Sequence, residues 1–92
     1  MPQVTTLISV LEEARGLLAA ADNNFAWSSW RDCNDALDEI DTILSELRSG
    51  ILPSALTLHV LFAPTGPIQE VSLSSRWGDE YIELAERFDA AR

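Results

Sequence analysis

The chain has no lysine, and its only cations are six arginines. Fifteen aspartates and glutamates outnumber them, so the formal net charge at pH 7 is −9. A charge of this sign repels nucleic-acid phosphates and anionic membrane surfaces, and it attracts basic proteins. We therefore expect a protein partner, with no nucleic acid and no membrane, and no small-molecule substrate is evident from the sequence.

Cysteine and histidine each occur once, which limits the available chemistry. Cys33 excludes an internal disulfide, and its place in an apolar stripe is typical of a small buried hydrophobe. His59 has neither an orienting group nor a nucleophile beside it in the pattern, so we interpret it as structural. Glycine-rich phosphate loops and zinc-ligand motifs are missing as well. We predict a protein that is not an enzyme, with no catalytic residue, cofactor or metal.

Long apolar runs are also absent. No stretch approaches the roughly 20 residues needed to cross a bilayer. The first three residues carry no basic segment ahead of an apolar run, so we expect no signal peptide and a cytoplasmic location. Hydrophobic residues make up 47% of the chain, which argues against disorder. We expect one folded domain over residues 1–92.

The first half of the chain predicts two amphipathic helices, because apolar residues recur there at spacings of three and four. We predict the first helix over residues 6–21, capped by Thr5 or Thr6. The second helix is predicted to begin near Phe25, with Ser28 as an alternative start, and to end near Arg48 or Ser49 before a left-handed Gly50. The short link between them favours an antiparallel helical hairpin.

The second half shows a period of two over residues 56–62, which predicts a strand. Dense turn chemistry follows over residues 63–67, and a second strand is predicted over residues 68–74. A last helix is predicted over residues 79–90. The predicted fold is therefore α+β: a helical hairpin, a β-hairpin and a C-terminal helix.

An isolated two-stranded hairpin is marginally stable and leaves its edges open. Both faces of the first predicted strand carry apolar residues, with Leu61 opposite the face of Leu58. We therefore expect a homodimer in which two hairpins form one four-stranded sheet. The alternative is a bundle formed by the helix stripes of two subunits.

The first functional hypothesis is a small, acidic, non-enzymatic interaction module that self-associates and binds another protein. Its surface would be the predicted hairpin together with nearby tryptophans, since tryptophan is enriched at interfaces. The candidate residues of this surface are Trp27, Leu58, Val60, Phe62 and Trp77.

The alternative hypothesis uses an acidic helix face formed by Asp35, Asp38 and Glu39. It describes an inhibitor or immunity-type protein that neutralises a basic partner such as a nuclease, with association accelerated by electrostatic steering. The same carboxylates would suit a hard cation. The first helix, however, supplies only Glu12 and Glu13, which are adjacent and point apart, so a metal-dependent hydrolase is disfavoured.

Overall fold

The structure is a computed structural model that describes residues 3–20, 23–26, 28–62 and 66–91, apart from the side chains at positions 55 and 56. Within these ranges the chain forms five α-helices: α1 (Val4–Leu18), α2 (Cys33–Arg48), α3 (Ala55–Phe62), α4 (Pro67–Ser74) and α5 (Gly78–Ala91). The same ranges contain no β-strand, so the α+β prediction is wrong. None of their helices combines the length and the apolar character that crossing a bilayer requires.

α1 packs against α2 and α5, α4 packs against α3 and α5, and all five helices contribute buried side chains to one core. Arg15 pairs with Asp41, and Glu12 pairs with Arg48, so residue numbers rise along α1 as they fall along α2. This order makes α1 and α2 an antiparallel pair. The buried side chains that α1 contributes are Leu7, Val10, Leu11, Ala14 and Leu18.

The two segments predicted as a β-hairpin, residues 56–62 and 68–74, lie instead in the helices α3 and α4. Among the described side chains of α3, the buried ones are Leu58, Leu61 and Phe62. The last two lie three and four positions after Leu58, as on one face of a helix. Five of the seven residues at positions 56–62 are apolar, so both the strand period and the helix period fit them. The buried residues of α4 have the same helical spacing and include Ile68, Val71 and Ser72.

Local signals support the start of each short helix. The hydroxyl of Ser54 accepts the backbone N–H of Thr57 at 3.1 Å, which satisfies one free amide of α3. Pro67 occupies the first turn of α4, where its fixed φ suits a helix and its missing N–H costs nothing. Positions 63–65 of the predicted turn lie outside the described residues.

The predicted bounds of the first and last helices differ from the observed ones. α1 begins at Val4 and ends at Leu18, whereas the prediction was residues 6–21, and position 21 is outside the described residues. Gln3 precedes α1 without a side-chain cap, so neither Thr5 nor Thr6 has the predicted capping role. The helix predicted over residues 79–90 is α5, and it extends one residue further at each end.

The start of α2 was predicted too early. The helix begins at Cys33, after Asp32, whose carboxylate accepts the backbone N–H of Asp35 at 2.9 Å. Upstream, the side chain of Asn24 accepts the backbone N–H of Ala26, and such local bonds compete with helix formation. The predicted end near Arg48 or Ser49 is confirmed, since α2 ends at Arg48, and so is the left-handed Gly50, with φ 82°.

The helical form of residues 55–62 removes the reason given for a homodimer. No strand edge exists in the described ranges, and α3 buries three of its large apolar side chains in the chain's own core. Self-association itself stays a prediction.

Candidate protein-binding groove

The carboxylates proposed as an acidic face line a surface groove of about 540 Å³ along α2. Asp35, Asp38 and Glu39 are within one turn of each other, and Glu46 extends the same face towards the end of the helix. We call this surface the α2 groove. Its lining residues are Ser29, Trp30, Asp35, Asp38, Glu39, Thr42, Ile43, Glu46 and Thr57.

Trp30 orients one of these carboxylates. Its ring is 5% exposed, and its indole N–H donates to Oε2 of Glu39 at 3.0 Å. A hydrogen bond to an ionised acceptor is stronger than one between neutral groups. The Glu39 carboxylate is therefore held in place at the groove although it is exposed to solvent.

Asp35 is the one groove carboxylate with a cation beside it among the described residues. The backbone N–H of Arg31 donates to its Oδ2 at 3.0 Å, and the guanidinium lies 3.5 Å from Oδ1. These contacts, the backbone bond above all, hold the pKa of Asp35 below its ordinary value. The Arg31 side chain is 87% exposed, so this pair is open to solvent and exchangeable.

The other arginines with ion pairs in the described ranges contact acids away from the α2 groove. Arg15 and Arg48 join α1 to α2 through Asp41 and Glu12, and Arg87 joins α5 to α1 through Glu13. None of the ion pairs in these ranges includes the groove carboxylates Asp38, Glu39 and Glu46. The groove therefore keeps negative charge that the described part of the chain does not neutralise.

The α2 groove continues into a smaller pocket of about 310 Å³ at α3. The two cavities share Glu39 and Thr57, and the pocket adds Val60 and Leu61. Val60 is 51% exposed, whereas Leu61 is buried beneath it in the core. The acidic groove thus has an apolar end.

The residues predicted to form an interaction surface at the β-hairpin do not form one exposed surface in the structure. Leu58, Phe62 and Trp77 are buried in the core, at 5%, 8% and 7% exposure. Only Val60 of the described candidates is exposed, because it lies on the opposite side of α3 from Leu58 and Phe62. Trp27 lies outside the described residues.

Cys33 and His59, the single cysteine and histidine, contact different parts of the structure. The thiol of Cys33 contacts the carbonyl of Leu18 at 3.4 Å. His59 is exposed and meets the ring of Phe88 edge-on, with centroids 6.4 Å apart. In the part of the chain that the structure describes, no three histidine, cysteine, aspartate or glutamate side chains are grouped to hold a metal ion.

Six of the nine residues that line the α2 groove were not predicted as site residues, and three of these six matter most for its chemistry and shape. Glu46 is three helical turns from Asp35, so the helical spacing alone places it on the same face. Trp30 is buried in the core, but its indole N–H also reaches the groove. Thr57 carries no signal, because the position of α3 beside α2 depends on tertiary packing.

Comparison with protein-family models, with curated proteins and with solved structures finds no match for this chain.

Proposed function

We propose that this protein is a non-enzymatic interaction domain whose α2 groove binds a basic segment of another protein. The observation that carries the proposal is a groove with three carboxylates, Asp38, Glu39 and Glu46, that form no ion pair with the described residues. Arginine or lysine side chains of a partner would supply the missing cations. Burial at an interface strengthens such pairs, because the local dielectric constant falls as water leaves.

The charge of the whole chain supports the same class of partner. A net charge of −9 on 92 residues raises the rate of encounter with a basic protein and lowers it for acidic surfaces. Of the two hypotheses raised by the sequence, the acidic inhibitor or immunity type fits this surface better. Its partner would be a basic protein, such as a nuclease, in the cytoplasm.

The test compares two variants with equal charge changes. Asp38→Asn with Glu46→Gln removes two carboxylates from the α2 groove. Asp79→Asn with Glu86→Gln removes one aspartate and one glutamate from exposed positions on α5. Both doubles change the net charge by the same amount, so a difference between them reports on location.

Each double variant and the wild type serve as bait in extracts of the native cell, and captured proteins are then purified and tested singly. We expect a basic protein that binds the wild type and the α5 variant but is lost from the groove variant. Its association rate should fall steeply as salt is added, because steering is screened. Equal capture by both variants, or an association rate independent of salt, would contradict the proposal.

A further inference from the structure

The apolar end of the α2 groove shows which chemistry the partner needs besides positive charge. Val60 leaves half of its surface in water at the mouth of the α3 pocket, next to the buried Leu61. Because Glu39 and Thr57 border both cavities, a segment bound at the groove carboxylates can extend into this pocket.

We propose that the partner segment is amphipathic: it carries one large apolar side chain that enters the pocket beside Val60, next to basic side chains that pair with Asp38, Glu39 and Glu46. This inference rests on the proposed function and specifies its ligand. Interfaces commonly combine an apolar anchor in a pocket with charged groups at its rim, and the anchor provides most of the affinity.

Charge complementarity selects this occupant over the other candidates. A lipid surface with anionic headgroups is repelled by the groove carboxylates, and so is an acidic peptide. A second copy of this chain brings another net charge of −9 to the same surface. A basic segment with an apolar side chain satisfies both parts of the surface.

The probe is a set of short synthetic arginine-rich peptides in which a single leucine is moved along the sequence. A matching set has serine in place of that leucine. Scanning the position removes the need to know the register between the pocket and the carboxylates. Affinities are measured by calorimetry for the wild type, Val60→Thr, Ile82→Thr and the groove double Asp38→Asn with Glu46→Gln.

Val60→Thr exchanges a methyl group for a hydroxyl with little change of shape, at a position where solvent already reaches the side chain. Ile82→Thr is the matched control, since Ile82 is also β-branched and is 55% exposed on α5, away from the groove. Thermal melts of both variants establish that the fold is intact before binding is compared.

We expect one leucine position to bind the wild type about tenfold more tightly than its serine counterpart, as burial of a leucine side chain predicts. Val60→Thr should remove most of this preference, and Ile82→Thr should keep it. The groove double should weaken both peptides and leave their ratio unchanged.

The possible failures separate the two proposals. If leucine and serine peptides bind equally at every position while the groove double weakens both, the apolar anchor is wrong and the acidic groove stands. If the groove double weakens binding no more than Asp79→Asn with Glu86→Gln, the groove is not the binding surface and both proposals are wrong.

Discussion

The side-chain amide of Asn23 joins the C-terminus of α1 to the indole of Trp77. Its Nδ2 donates to the carbonyls of Leu17 and Leu18 at 2.6 and 2.9 Å, and its Oδ1 accepts the indole N–H at 2.8 Å. Trp77 immediately precedes α5 and is 7% exposed. One amide therefore donates to two carbonyls at the end of α1 and accepts from a buried donor, which requires both of its ends.

Replacement of Asn23 by alanine should lower the free energy of unfolding by about 2 kcal/mol, because a buried indole N–H loses its acceptor. Asn23→Asp should cost at least as much, since it removes the donor and places negative charge at the negative end of α1. Asn34→Ala is the control, as Asn34 is exposed on α2. Urea denaturation measures all three, and equal values for Asn23→Ala and Asn34→Ala would show that the bridge contributes nothing.

The sequence predicts α1, α2 and α5 because each supplies about four turns of regular apolar spacing. Their ends are less predictable, since they depend on side-chain bonds over longer separations. Asn23 is one example, because its side chain bonds both to carbonyls at the end of α1 and to the distant Trp77. No pattern within one helix contains that information.

The two short helices were misread because eight residues give only two turns, and a densely apolar run fits both periods. The choice between them is decided by packing. As a helix, α3 stacks Phe62 on Phe88 of α5, with ring centroids 4.4 Å apart. Tyr81 of α5 also donates its hydroxyl to the carbonyl of Phe62 at 3.0 Å. These partners are far away in sequence, so residues 56–62 alone do not reveal them.

Aspartate should lower the stability of the protein strongly at position 58 and only slightly at position 60. Leu58→Asp buries a charge in the core and should cost more than about 4 kcal/mol of stability, enough to unfold a small domain. Val60→Asp should change stability by no more than about 1 kcal/mol, because Val60 is exposed. A strand would place both side chains on one face, so equal losses in thermal melts would restore the strand interpretation.

Helical spacing along α2 predicts the acidic face of the groove, but it does not predict the residues of α3 that border the groove. Asp35, Asp38 and Glu39 are neighbours on any helix that contains them. The approach of Thr57 and Val60 from α3 requires the tertiary fold, which the predicted strand excluded. The apolar end of the α2 groove was therefore not predictable from the sequence.

Alanine should stabilise the protein at one glycine and destabilise it at another. Gly16 lies within α1, exposed, and an added Cβ meets no atom within 4 Å, so no close helix crossing requires glycine there. Gly16→Ala should raise stability by about 0.5–1 kcal/mol through helix propensity. Gly50 also has open space but φ +82°, so Gly50→Ala should lower stability by about 1 kcal/mol. If urea denaturation shows that both alanine variants change the free energy of unfolding in the same direction, this account is wrong.

Acidification should weaken the contact between α1 and α2. Arg15 donates to both oxygens of Asp41, at 2.6 and 3.1 Å, and this hydrogen bonding holds the pKa of Asp41 below its ordinary 3.8. A lowered folded-state pKa gives stability that is complete above pH 3.8 and is lost as the pH falls through the folded-state value. Asp41→Asn should therefore melt below the wild type at neutral pH, with a gap that narrows in acid. A gap that stays constant as the pH falls would contradict this account.

Alkaline conditions should act through Tyr81. Burial raises its pKa above the ordinary 10.0, with a smaller contribution from the nearby Asp89. A raised folded-state pKa gives stability that is complete below pH 10.0 and is lost as the pH rises through the folded-state value. Tyr81→Phe should cost about 1 kcal/mol at neutral pH, because the carbonyl of Phe62 loses a hydrogen bond. As the pH rises above 10.0, the melting temperature of Tyr81→Phe should then fall less than that of the wild type. Tyr81 is the only tyrosine, so tyrosinate absorbance reports on it alone, and ionisation at the ordinary pKa in the folded protein would refute the burial argument.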